Sequence, residues 1–217
     1  SADEKGASAI ANEVSTGASK RMALKAAEDL SQLSLATADN LAAAYKRAKF
    51  NQDALLLNEQ ATLESVMELA PNHPALKEQI ATLQGLLKEK GQSNQKEIDA
   101  AMKTQAALLG VAPVKRIELT AEEKAAAKMF PRTTAKVKQT GYGVLQTVTK
   151  ELLEKHQLIE NGRSVMAHAG DIAKLTCTGK NSVLDIKKMQ DAQFPDADSL
   201  TNIIRYMDVL KEAGLVE

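Results

Sequence analysis

No proline interrupts this chain before Pro71, and the residues up to that point are mostly Ala, Leu, Lys, Glu and Gln. These are the strongest helix formers, and nothing in the stretch forces the backbone out of a helix. Ile10, Val14 and Ala18 recur every four residues, and Leu30 and Leu33 lie three apart. Leu41, Tyr45, Ala48, Leu55, Leu63, Val66 and Ala70 then repeat at helical period. Each stripe needs a partner surface, because a helix of this kind draws its stability from burying one face. A 30-residue helix is ~45 Å long, so two long helices are expected, joined by a short turn near Ser34–Asn40, with Thr37 or Asp39 as cap. Ala70-Pro71-Asn72-His73-Pro74 stops the second helix. Leu76, Ile80, Leu83 and Leu87 resume the stripe, and Ile98, Met102, Leu108 and Leu109 end it. Gly91 suits a C-terminal cap and Ser93 an N-cap, which would break this last stretch in two.

The core of such a bundle must be aliphatic. The chain has three Phe, three Tyr and no Trp among 217 residues. No heptad with charged flanks persists over many turns, so an antiparallel bundle of three or four helices is expected over residues 1–110 rather than a long coiled coil.

Residues 111–140 read as a join. Val111-Ala112-Pro113-Val114 is extended in character. Thr120 with Glu123 forms a capping box for a short helix ending near Phe130. Arg132, Lys136 and Lys138 mark a polar, basic linker. Residues 141–217 have another texture. A helix is expected from Val144 to about Gln157, a turn at Asn161-Gly162, and a short helix carrying Ile172, Leu175 and Cys177. Ser182 caps the next helix, Pro195 breaks it, and Asp196 or Asp198 caps the last. That helix presents Leu200, Ile203, Ile204, Met207 and Leu210, Gly214 closes it, and Leu215-Val216-Glu217 turns toward strand. The order is that of a winged-helix-like module. The fold class is therefore mainly all-α: a long-helix antiparallel bundle followed by a winged-helix-like module with minimal β.

Composition narrows the functions. Twenty-eight basic and 28 acidic side chains give zero net charge, which disfavours bulk nucleic-acid affinity. Residues 196–217 carry Asp196, Asp198, Asp208, Glu212 and Glu217 against Arg205 and Lys211, so a reading helix there would meet phosphate with the wrong sign. A lone Cys177 excludes an internal disulfide. No apolar run reaches the ~20 residues that span a bilayer. A chain that opens Ser1-Ala2 without Met is expected to be a processed protein or a piece of a longer one, and no signal or transit peptide is visible. The compartment stays open.

No catalytic motif stands out. His73, His156 and His168 are the three histidines; none lies four residues from another, and zinc needs several convergent ligands. His168 with Asp171 is the nearest pair, read as surface residues near a helix start. Cys177 lies on an apolar stripe and reads as a small buried hydrophobe, since a nucleophile needs a base beside it. Gly141-Tyr142-Gly143-Val144 lacks the strand and the spacing of a phosphate loop and reads as a hinge. Glu28, Asp29, Asp39, Glu59, Glu64 and Glu68 show no paired Glu-x-x-His, so a di-iron bundle is excluded and a solvated charged face is expected. No catalytic residue, cofactor or metal ligand is assigned.

Gly179-Lys180-Asn181-Ser182-Val183-Leu184-Asp185-Ile186, then Phe194, then Ile203-Ile204-Arg205-Tyr206-Met207-Asp208-Val209-Leu210-Lys211-Glu212-Ala213-Gly214-Leu215-Val216 resembles a small winged-helix-like tail. Such tails follow the catalytic domain in bacterial zinc-dependent aminopeptidase-type proteins, and Asn58–Val66 is similar to the helical segment before them. The resemblance implies the non-catalytic accessory end of a larger exopeptidase. The family's zinc ligands, His, Asp and Glu of an α/β domain, fall on no position here. The expected role is protein interaction, with a protein partner, the rest of its own chain or a second copy as the other side. The alternative is a transcriptional regulator whose bundle dimerises and whose module binds DNA.

Overall fold

The computed structural model describes residues 2–140, 147–172, 177–194 and 196–217. The fold is mainly α-helical with one two-stranded sheet, and the chain divides into two compact units, Ser1–Ile117 and Glu118–Glu217.

In the first unit, α1 (Ala2–Ser34), α2 (Leu41–Ser65) and α3 (Pro74–Leu109) pack pairwise as an antiparallel three-helix bundle. The turn between α1 and α2 falls where the sequence places it, but its cap differs. Asn40 is the N-cap residue, and its Oδ1 accepts from the Thr37 amide at 2.8 Å. Neither Thr37 nor Asp39 caps the helix. A 3₁₀ turn, Val66–Leu69, ends the second arm. His73 then caps α3: its Nδ1 accepts from the Leu76 amide, and Pro74 takes the first position, where no amide is needed.

The expected break at Gly91-Gln92-Ser93 does not occur, and α3 runs unbroken from Pro74 to Leu109. Gly91 serves packing instead. A Cβ there would lie 3.1 Å from Leu56 Cδ2 and 3.4 Å from Met22 Cε, one side chain from each neighbouring helix. The true C-cap is Gly110, at φ +68°.

Small residues let the helices approach. Ala7, Ala11, Ala18 and Met22 of α1 pack on Leu55, Leu63, Leu76 and Leu87. A second cluster joins Leu33, Leu41, Tyr45, Ile98 and Met102, with Val111, Val114 and Ile117 folded against it. Close approach also lets side-chain amides clamp neighbouring backbones. Gln79 Nε2 donates to Ser8 O at 3.1 Å, Asn94 Nδ2 to Met22 O at 3.2 Å, Gln95 Nε2 to Lys49 O at 3.1 Å and Gln105 Nε2 to Ala36 O at 2.7 Å. Each of these carbonyls has a lone pair for such a bond, worth about 1 kcal/mol net.

The second unit begins before the expected boundary. Residues 111–117 pack with the bundle, whereas 118–140 belong to the second unit. Thr120 and Glu123 do form the capping box of α4 (Ala121–Ala126). The basic stretch after it is not a free linker. Arg132 exchanges two backbone bonds with Glu217, Thr134 donates to Leu215 O, and Thr133 donates to Cys177 O. Residues 131–134 thus lie between two extended segments, which their amides and carbonyls need as partners.

Next come α5 (Ala135–Thr140), α6 (Lys150–Lys155) and a tight hairpin of β1 (Ile159–Glu160) and β2 (Arg163–Ser164). Asn161 and Gly162 turn it at φ 50° and 77°, the positive pair that a two-residue hairpin requires. α7 (Ala169–Asp171) is a single turn, and Cys177 sits in extended backbone beside the bridge at Thr178 rather than in a helix. The expected helix start at Val144, the hinge at Gly141–Gly143 and Leu175 lie outside the described residues.

Ser182 and Asp185 form a second capping box on α8 (Val183–Gln193). The last helix, α9 (Leu200–Glu212), is capped by Ser199, whose side chain accepts from the Asn202 amide, and not by Asp196 or Asp198. Gly214 follows it at φ +69°, and Leu215–Glu217 returns to pair with the backbone of Arg132–Thr134. Val183, Ile186, Ile203, Val209 and Leu210 are fully buried between these elements.

Candidate functional site

The polar chemistry of the bundle is concentrated in its middle. Asp29 is only 5% exposed and Glu59 only 4%, so two of the six carboxylates expected on a solvated face are inside. The reason is pairing across helices, which the sequence of one helix cannot display.

Asp29 Oδ1 accepts from Asn51 Nδ2 at 2.8 Å, and Oδ2 accepts from Gln52 Nε2 at 3.0 Å. Gln52 Oε1 accepts in turn from Asn94 Nδ2 at 2.9 Å. One network therefore ties α1, α2 and α3. Lys25 Nζ stands 3.8 Å from Asp29 and bonds to Glu28 at 3.0 Å. Burial pushes the Asp29 carboxyl above the usual carboxylate range, against the opposing pull of the two amides and Lys25. Lys25, Glu28, Asp29, Gln32 and Arg47 line a groove of about 470 Å³ between α1 and α2.

Two further pairs flank this network. Arg21 grips Glu59 with two bonds of 2.6 Å. Lys49 Nζ and the Tyr45 hydroxyl both donate to Asp99 Oδ1, at 2.7 and 2.8 Å. Burial, followed by the bond to Asp99, pushes the Tyr45 phenol up to about 12. Glu59, the buried one of these two acids, already holds the hydrogen bonds that its burial demands.

In the second unit, the pair His168 and Asp171 does come together, with His168 Nδ1 3.9 Å from Asp171. Asp196 is nearer, at 3.2 Å from His168 Nε2, and the imidazole stacks on Phe194 at 3.9 Å. Asp198, also buried, accepts from the backbone amides of Ala167 and His168 and from Gln190 Nε2. These carboxylates fix two loops to each other. His156 bonds to Glu212 at 2.9 Å, beside Lys155. His73 is spent on its helix cap.

Cys177 is buried, and its thiol donates toward Ile172 O at 3.6 Å. Tyr206 is buried near it and is likewise pushed up to about 12, mainly by burial. Among the described residues no three His, Cys, Asp or Glu converge on a point that would hold a metal ion, and no helix is long and apolar enough to cross a membrane.

Sequence reasoning missed Asn51, Gln52, Asn94 and Gln190, all buried. A signal existed: Asn94 falls on the stripe of Leu87, Gly91, Ile98 and Met102, and Asn51 and Gln52 lie between Ala48 and Leu55. An amide at an apolar position is the mark of a buried network. No family model, curated protein or solved structure matches this chain.

Proposed function

We propose that this chain is a non-catalytic protein-interaction region. The observation that carries this reading lies at one end of the bundle. Leu35, where α1 ends, is 73% exposed, and Leu108, where α3 ends, is 78% exposed. The bond from Gln105 Nε2 to Ala36 O puts those two helix ends side by side. Two large apolar side chains therefore stand in water on neighbouring helix ends, which suits contact with another protein. The buried acids, by contrast, are bound to structural partners.

The second unit supports the same reading as a winged-helix-like element used for packing. α9 follows α8 in the chain, which then returns as an extended segment onto Arg132–Thr134. The acidic balance of residues 196–217 opposes a phosphate backbone. A parent zinc exopeptidase is the context implied by the sequence resemblance; the interaction role does not depend on it.

The test is a photo-crosslinking residue placed at Leu35 or Leu108, with Lys77 as an exposed control at the opposite end. Adducts to protein, a second copy included, are expected from the first two positions and not from the third. Absence of adducts at both leucines overturns the reading. Salt-dependent retardation of a DNA duplex would install the regulator in its place.

A further inference from the structure

The network around Asp29 has one member that is free to turn and one that is not. Gln52 donates to Asp29 Oδ2 and accepts from Asn94 Nδ2 at 2.9 Å, and Asn94 also donates to Met22 O. Turning the Gln52 amide would set donor against donor. Asn51 donates to Asp29 Oδ1 through Nδ2, but its own Oδ1 is buried and, among the described residues, has no hydrogen-bond partner. Turning that amide loses no second bond.

We infer that Asp29 and Asn51 form a proton-operated hydrogen-bond switch inside the bundle. With the carboxylate ionised, Asn51 Nδ2 donates to Asp29 Oδ1. When a proton arrives from solvent through the groove beside Asp29, it bonds to Oδ1, because the Gln52 amide at Oδ2 is pinned by Asn94 whereas the Asn51 amide at Oδ1 can turn; Lys25, 3.8 Å from that same Oδ1, opposes the step. The new O–H then faces an N–H. The Asn51 amide turns over, its Oδ1 accepts the Asp29 proton, and Asp29 Oδ2 keeps its bond from Gln52. No backbone needs to move.

The charged groups around Asp29 set the balance. On α1, Lys25 at 3.8 Å favours the ionised form and Glu28 opposes it. On α2, Arg47 lines the same groove, while Asn51 and Gln52 are neutral. On α3, the member of the network is the neutral Asn94. Burial outweighs the attractions and shifts the group toward the protonated form. Because the folded carboxyl titrates above its unfolded counterpart, the bundle gains stability as pH falls through the folded transition. The switch thus contributes stability in mild acid, opposite in sign to the contribution of Asp99, whose carboxyl, despite desolvation, is lowered by its bonds to Lys49 and Tyr45.

The experiment is NMR on the full chain across the Asp29 titration. The scalar coupling across the Asn51 Nδ2–H···Asp29 bond is expected at neutral pH and lost in acid, with the backbone spectrum still dispersed. Asp29→Asn mimics the protonated group: its amide donates to Asn51 Oδ1 and its oxygen accepts from Gln52. Its urea midpoint at neutral pH is expected to equal or exceed that of the parent chain, whereas Asp29→Leu, which strands both amides, lowers it. Persistence of the coupling after Asp29 protonates overturns the switch. So does an Asp29→Asn midpoint as low as that of Asp29→Leu. If Asp29→Asn does not fold, the coupling in the unmodified chain decides.

Discussion

Arg21 and Glu59 face each other across α1 and α2 through two parallel hydrogen bonds of 2.6 Å. The two ends of this pair are unequal. The Glu59 side chain is 5% exposed, while that of Arg21 is 54% exposed. The guanidinium lies at the bundle surface and the carboxylate lies inside it.

That asymmetry predicts unequal mutants. Arg21→Ala leaves a buried carboxylate unpaired and is expected to cost about 2–3 kcal/mol, at the low end of buried pairs because solvent reaches the site. Replacing both residues, as Arg21→Met with Glu59→Leu, removes the charge and the desolvation together and is expected to recover most of that loss. Urea unfolding of the parent chain, Arg21→Ala and the double variant makes the comparison; equal losses in the two variants would refute the argument.

Asp198 predicts a local effect in the second unit. Its carboxylate satisfies the amides of Ala167 and His168 and the side chain of Gln190. Asp198→Ala strands three donors and is expected to cost about 2–4 kcal/mol. Hydrogen exchange should show faster amides at Ala167 and His168, with α1–α3 unchanged. Equal acceleration in both units would contradict this.

Gly179 has φ +76°, and a Cβ there would stand 2.7 Å from Arg132 Nε. Gly179→Ala is expected to destabilise the second unit by about 1–3 kcal/mol through strain and contact together. Adding Arg132→Ala should relieve only the contact, so recovery in thermal unfolding is expected to be partial. Full recovery would show that the backbone angle costs nothing.

Tyr45 and Tyr206 predict the behaviour in base. Both folded phenols titrate at about 12, above the ordinary value of 10.0. Their contribution to stability is complete below the unfolded value. It declines as pH rises from there to the folded one, since the unfolded chain ionises first. Tyrosinate absorbance from these residues should be missing at about pH 10 and appear with unfolding. Replacing each by Phe should flatten the alkaline loss, and, in a Tyr142→Phe background that leaves only these two phenols, absorbance rising in a still-folded chain at that pH would sink the assignment.

Local signals hold where a residue acts on its own neighbours. Thr120 and Ser182 cap their helices through residues three positions on, Asn161-Gly162 turns a hairpin, and Pro71 with Pro74 separates α2 from α3. The signals that failed were those with a distant competitor. Gly91 has the residue type of a cap, yet Met22 and Leu56 close over it and the helix continues. Asp196 and Asp198 have the residue type of caps, but His168 and the amides before it claim them, and Ser199 takes the cap.

The amino-acid order alone determined that the first 110 residues are helical, where they turn, and that the core is aliphatic, because period, propensity and proline act over a few residues. Only the tertiary structure decided which polar groups went inside. Asp29 and Glu59 look like Glu28 and Glu64 along the chain, and they are buried because Asn51, Gln52 and Arg21 meet them from other helices. A buried charge is tolerated only where a partner stands, and partners 22 to 38 residues away are brought together by packing.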